Sequence, residues 1–191
     1  MLCHLGHIIT PTGVAVDPNQ VARVQGWEPP TDARQVKAFL CLAGYYRRYL
    51  PEYEKTVEPL ARLTDIGRVF ELPECQEAFL RLKKGLTEAP VLGYSQEEGR
   101  FILDTDASNE AIGAVLLQEQ DGHERVLAYG SRVLSKEERN YCVTRKELLA
   151  CVYFMRAYCH YLYGRNFLLR TDHSPLRWLL GRKDPRDQQA H

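Results

Sequence analysis

Between residues 88 and 99 the hydrophobic period of this chain changes. Before that point apolar residues recur every three or four positions. After it, short aliphatic runs alternate with turn signals and enclose one long helical pattern. Residues 100–105, 111–118 and 126–131 read as strands, with Asp121-Gly122 turning the second into the third. Residues 144–162 read as a helix whose stripe is Leu148, Leu149, Val152, Met155 and Cys159, with Gly164 as its C′ residue. Residues 167–171 give a fourth strand and 174–180 a final helix. The order β-β-β-α-β-α predicts a mixed α/β sheet domain over residues 91–191.

The front, residues 1–90, reads as a hairpin followed by helices. Residues 5–16 alternate around a turn at Thr12-Gly13. Asp17-Pro18 is an N-cap with proline at the first helical position, opening a short helix to about Gln25. Asp32 and Gln35 form a capping-box pattern ahead of a helix over 33–50, with Val36, Phe39, Leu40, Ala43, Tyr46 and Leu50 on its apolar face. A shorter helix is expected over 58–64 and another over 74–87, burying Ala78, Phe79, Leu82 and Leu86.

Length and composition bound the function classes. The 191 residues suit one large domain or two small ones. Lys plus Arg and Asp plus Glu are 25 each, so a phosphate-binding partner would have to meet a local basic patch. No apolar run reaches membrane-spanning length and the start has no signal-peptide pattern, so an intracellular protein, cytoplasmic or nuclear, with no membrane partner is expected. Six cysteines lack any C-x-x-C pair and are expected to be reduced and buried.

Three acids stand out, each in its own local signature. They are Asp106 in Asp104-Thr105-Asp106-Ala107-Ser108, Glu147 in Thr144-Arg145-Lys146-Glu147-Leu148, and Asp172 in Thr171-Asp172-His173. Carboxylates converging from separate elements are what a hard divalent cation requires. Each acid also has a plain structural reading. Thr144-x-x-Glu147 fits a capping box, and Asp172 can cap the helix after it. Asp104 is expected to face away from Asp106 and stay outside the site. His4 and His7 lack a second ligand pair at zinc spacing. Tyr45-Tyr46-Arg47-Arg48-Tyr49 is either a basic-aromatic patch tracking a nucleic-acid backbone or a buried tyrosine with solvated arginines. The run from Tyr158 to Tyr163 reads as helix packing rather than a stacking platform.

These motifs, taken in order, resemble the thumb and ribonuclease H region of gypsy-like long-terminal-repeat retrotransposon reverse transcriptases. Leu5-Gly6-His7-Ile8-Ile9 resembles the primer-grip hairpin, and Phe39-Leu40-Cys41-Leu42-Ala43-Gly44-Tyr45-Tyr46-Arg47-Arg48-Tyr49 the thumb helix. Phe101 to Ser108, Ile112 to Leu116 and Ala128 to Ser135 resemble the first three nuclease strands, the third with Gly130 where the family more often has Ala. The segment around Lys146-Glu147-Leu148-Leu149 and that around Leu169-Arg170-Thr171-Asp172-His173 complete the set. The resemblance implies a helical thumb-like segment followed by a ribonuclease H-like domain, and metal-dependent cleavage of the RNA strand of an RNA–DNA hybrid. It implies that Asp106, Glu147 and Asp172 are both catalytic and metal-holding, for Mg²⁺ or Mn²⁺. Arg47, Arg48 and His173 are implied to contact a hybrid or template–primer duplex, within the remainder of a Pol polyprotein.

The family's fourth metal-binding aspartate is expected to be absent, leaving the domain C-terminally truncated, since Asp184 and Asp187 lie too near the third acid to replace it. The polymerase palm is expected to be absent as well, so the chain alone should not polymerise DNA. Loss of a last strand and helix should expose a sheet edge and invite association. The alternative function is a catalytically inactive nucleic-acid-binding or interaction module.

Overall fold

The computed structural model describes residues 2–4, 6–64 and 73–176. A three-stranded antiparallel sheet opens the chain: β1 (Leu2–His4), β2 (His7–Thr10) and β3 (Gly13–Val16), in that order. The expected hairpin is β2–β3, paired from His7↔Val16 to Thr10↔Gly13. β1 was not expected; it pairs Cys3 with Ile8 across a turn at Gly6, whose φ is +76°. Asp17 then caps α1 (Pro18–Gln25), its carboxylate accepting from the Asn19 N–H at 2.9 Å.

Asp32 caps α2 (Ala33–Tyr45), accepting from the Gln35 N–H at 2.8 Å, while the Gln35 amide oxygen reaches back to the Thr31 N–H. The helix stops five residues short of the expected end. Leu50 precedes Pro51 and is driven extended. The intervening Arg47–Tyr49 tightens into a 3₁₀ turn. Spacing of three in a 3₁₀ turn puts Tyr46 and Tyr49 on one side. Both aim at the first sheet: Tyr46 donates to the Gly6 carbonyl at 2.9 Å, and Tyr49 bonds His7 Nδ1 at 3.0 Å.

α3 (Tyr53–Arg62) begins five residues before the expected start. Pro59 sits inside the helix, along which Tyr53, Val57 and Leu60 bury a continuous stripe. α4 (Pro73–Thr87) buries Ala78, Phe79, Leu82 and Leu86, as the periodicity predicts. Phe79 meets Phe39 of α2 at 4.7 Å between ring centroids, in a first core that also holds Val36, Ala43 and Leu60.

The second core lies under a four-stranded sheet of order β6-β5-β4-β7. β4 (Phe101–Ala107), β5 (Ala111–Gln120) and β6 (His123–Val133) form an antiparallel meander. β7 (Phe167–Arg170) is added parallel to β4. Between β6 and β7 come α5 (Lys136–Arg139), α6 (Val143–Ala157) and α7 (Cys159–Leu162). The expected single helix over 144–162 is thus divided at Tyr158. Its stripe is also corrected: Ala150, Cys151 and Phe154 are buried, whereas Leu148 and Cys159 are exposed. Residues 174–176 are helical; the remainder of that expected helix, with Asp184 and Asp187, lies outside the described residues, as does Leu5 of the hairpin.

The cysteine expectation is half right. None of the six is in a disulfide, but only Cys75 and Cys151 are buried.

The two cores are joined through β6, an edge strand. The Glu54 N–H donates to Ser131 Oγ at 3.0 Å, and the Gly93 N–H donates to the Val126 carbonyl at 2.8 Å. Leu92 exchanges two backbone hydrogen bonds with Val14, at 2.8 and 2.9 Å. The loop from Tyr94 to Gly99 is clamped by the buried Gln118, whose amide bonds the carbonyls of Gln96 and Glu98. Gly99 has φ +98°, and a Cβ there would lie 2.1 Å from the Glu119 carbonyl oxygen. Gly99→Ala is therefore expected to lose about 2 kcal/mol or more in urea unfolding, from strain and displaced backbone together. A loss under about 0.5 kcal/mol would contradict that close approach.

Candidate active site

Parallel pairing of β4 with β7 sets the position of two acids. The register matches Asp104 with Arg170, so two residues further along Asp106 and Asp172 arrive at the same end of the sheet. The third comes from α6, whose core-facing stripe runs Glu147, Ala150, Cys151, Phe154. Glu147 thus occupies a position that packing alone would give to an apolar residue. One carboxylate oxygen from each of Asp106, Glu147 and Asp172 lies within 4.8 Å of the other two.

Burial differs sharply within the group. Asp106 and Asp172 are exposed, whereas Glu147 is only 4 % exposed. Its Oε1 accepts from the Ala107 N–H at 3.2 Å; its Oε2 is buried without a hydrogen-bond partner among the described residues. Burial pushes the Glu147 carboxyl up to about 7, the Asp106 carboxylate pushes the same way, the Ala107 N–H opposes it, and Asp172 adds a little more. A buried carboxylate with one oxygen unpaired, close to two other carboxylates, is costly unless a cation joins them. The donor set, three hard oxygens from three elements, fits a divalent cation of the Mg²⁺ class. Among the described residues, these acids are the group of His, Cys, Asp and Glu side chains placed to share an ion. His7 instead lies stacked between Tyr45 and Tyr49.

Surrounding contacts hold the acids in place. Thr144 Oγ1 bonds His173 Nε2 at 2.9 Å, tying the Asp172 segment to the helix that carries Glu147. Lys146, buried, reaches Asn109 Oδ1 at 3.2 Å in the turn after Asp106. The capping-box reading of Thr144 and Glu147 is corrected by these contacts. Cys142 is the N-cap, Glu147 sits in the second turn, and its carboxylate serves Ala107 across the fold. If the three acids hold a divalent cation, Thr144→Val should weaken its binding several-fold, because the Asp172 segment loses its tie to α6. The check is a Mg²⁺ titration followed by thermal shift, and unchanged midpoints would contradict the role given to Thr144.

The reason given for leaving out Asp104 is also corrected. Residues two apart on a strand share a face, and Asp104 and Asp106 line the same cavity of about 170 Å³ together with Val115, Tyr129 and Ser131. Asp104 stays outside the acid group because Arg170 takes it, in a bidentate pair at 2.5 and 2.7 Å. Arg170 reaches Glu124 as well, and the hydrogen bonds to Asp104 first and Glu124 second raise its affinity for the proton. No local motif singles out Arg170, Thr144 or Lys146; only the strand register and the helix position do.

Of the residues expected to contact nucleic acid, His173 lies beside the acids with Nε2 engaged by Thr144. Arg47 and Arg48 are exposed on the 3₁₀ turn and line a separate cavity.

Residues 72–169 match the family described as the RNase H-like domain found in reverse transcriptase. The chain belongs to this family. The match includes Asp106 and Glu147, and Asp172 follows just beyond it. The Pol polyprotein of transposon 297 from Drosophila melanogaster is 40% identical over 183 residues, covering 95% of this chain and 17% of that protein. That of transposon gypsy from the same organism is 36% identical over 190 residues, covering 91% and 18%. The chain therefore spans about a sixth of the length of these relatives. Among solved structures, the foamy viral protease-reverse transcriptase in complex with RNA/DNA hybrid superposes with a TM-score of 0.77 at 18% identity, covering 96% of this chain and 26% of that one. That likeness is one of fold. The mixed α/β architecture of this RNase H-like domain and the retroelement relationship expected from the sequence both hold.

Proposed function

We propose that this RNase H-like domain hydrolyses the RNA strand of an RNA–DNA hybrid in a reaction dependent on Mg²⁺ or Mn²⁺. The observation that carries the reading is the convergence of Asp106, Glu147 and Asp172, with a buried Glu147 oxygen left unpaired. These three side chains would hold the cations. Bound there, divalent ions activate a water and neutralise the leaving oxygen of a phosphodiester. Asp106 and Asp172 are the exposed members and face the substrate, while Glu147 fixes the site from behind through Ala107. His173, with Nε2 held by Thr144, is oriented to meet a phosphate next to Asp172. A hybrid is recognised by shape and 2′-hydroxyls, so little base preference is expected. Arg47 and Arg48 contact the template–primer on the helical side, residues 1–90 and 91–191 act as two parts, and the chain works within a larger Pol polyprotein inside the cell. Among the described residues no helix is long and apolar enough to cross a membrane.

The test is cleavage of a hybrid with end-labelled RNA. Cleavage in Mg²⁺, its loss in EDTA, and a fall of about 10³-fold in Asp106→Asn are expected. Equal cleavage by Asp106→Asn, or binding of the hybrid without any product in Mg²⁺ and Mn²⁺, would reject the reading. The second outcome would favour an inactive binding module.

A further inference from the structure

We propose that the junction between the helical part and the sheet forms a groove for an unpaired strand of nucleic acid, separate from the three acids. Two adjoining cavities, of about 310 and about 290 Å³, share Arg48 and Tyr161. Each has the size of a small ligand pocket, on the order of 300 Å³; lying side by side at Arg48 and Tyr161, they give a strand two places to bind. The first also takes in Arg47, Tyr153 and His160, and the second reaches Tyr94.

Charge selects the occupant. The chain as a whole is neutral, with 25 basic and 25 acidic residues. Yet the described residues lining these cavities include both arginines and no carboxylate. Neither arginine forms an ion pair with a described carboxylate. The cavity beside Asp106 has the opposite balance, being lined by Asp104, Asp106 and Glu52 against a single cation, Lys55. Phosphates are therefore drawn to the arginine side without any cation.

Shape selects the strand state. Tyr94 and Tyr153 are exposed, and the half-buried Tyr161 lies tilted against His160 at 4.3 Å. Aromatic rings gain from base faces, and a duplex hides those faces in its own stack, so unpaired bases are the fitting ligand. Residues 158–163 pack as expected, with Leu162 buried and Tyr158 and Tyr161 against the second core; His160 and Tyr161 also line the groove. Tyr129, Gly130 and Ser131 of β6 form a wall of both this groove and the cavity beside Asp106. β6 thus stands between the groove and the cavity beside Asp106, and binding in the groove does not depend on the function proposed above.

The experiment measures binding of a fluorescently labelled single-stranded oligonucleotide in EDTA, against a blunt-ended RNA–DNA hybrid and a mononucleotide. The full chain should bind the single strand more tightly than either competitor. Arg47→Gln/Arg48→Gln should weaken it at least tenfold and lower the salt slope by about 1.4, at roughly 0.7 per phosphate contact. Tyr161→Leu should cost roughly tenfold at an unchanged salt slope, and Asp106→Asn should bind like the wild type. Wild-type affinity in the double arginine variant overturns the groove, as does equal binding of the mononucleotide or the blunt hybrid. Should either variant fail to fold by circular dichroism, crosslinking of the wild type to an iodouridine-substituted strand decides. Crosslinks at Tyr94, Tyr153 or Tyr161 support the groove, and crosslinks confined to the Asp106 face overturn it. Intact groove binding without hybrid cleavage would defeat the proposed function alone. Cleavage by the wild type, together with wild-type single-strand affinity in the arginine variant, would defeat the groove alone.

Discussion

Glu147→Gln is expected to reduce hybrid cleavage by about 10³-fold while making the protein harder to unfold in EDTA. The two effects share one cause. Glu147 is buried beside Asp106 with one oxygen unpaired, and without a cation its carboxyl titrates at about 7 instead of its ordinary 4.5. The folded chain therefore holds the proton more tightly than the unfolded chain does. Below pH 4.5 both states are protonated and the site costs nothing. Between 4.5 and about 7 the penalty grows as the unfolded chain ionises first, and above about 7 it is complete. Gln removes the charge and keeps the shape. The gain should be on the order of 2–3 kcal/mol at pH 8, fading to nothing below pH 4.5. Added Mg²⁺ should stabilise the wild type by mass action and do little for the variant. Urea unfolding at pH 4 and pH 8, with and without Mg²⁺, reads all of this. A variant less stable than the wild type at pH 8 in EDTA would mean that Glu147 supports the fold rather than a cation.

Phe154→Ala should cost about 3–5 kcal/mol, the range for an aromatic side chain removed from a core that cannot collapse. Phe154 is 2 % exposed and meets Tyr153 edge-on at 5.0 Å and Tyr158 in a stack at 6.1 Å. It stands two turns beyond Glu147 on the same face of α6. Leu148→Ala is the matching control. The sequence pattern puts Leu148 in the core, but it is 37 % exposed, so its loss should cost well under the Phe154 figure, roughly 1 kcal/mol or less. Equal losses in the two variants would mean that α6 is rotated from the face described here.

That contrast shows what the sequence discloses and what it withholds. Helices whose buried stripe is wholly apolar, such as α2 and α4, are legible from periodicity. On α6 the buried stripe begins at a carboxylate, so counting hydrophobic residues selects the neighbouring face. α5 escapes for another reason: its four residues are too few for a period, although Ser135-x-x-Glu138 is a complete capping box. The three acids were legible one by one in their motifs. Their convergence was not, since it depends on the parallel register of β7 and on Arg170 diverting Asp104. Arg47 and Arg48 could be singled out as a basic pair, but nothing local tells that Tyr161, more than a hundred residues later, shares their cavity.

β6 closes one flank of its sheet, and that flank is occupied by the 3₁₀ turn and α3 of the helical part. A protease cut that released those elements would bare a ready template for pairing with another chain. Separated halves should then clump where the joined chain stays dispersed, so the helical part shelters the nuclease-like sheet from its own copies.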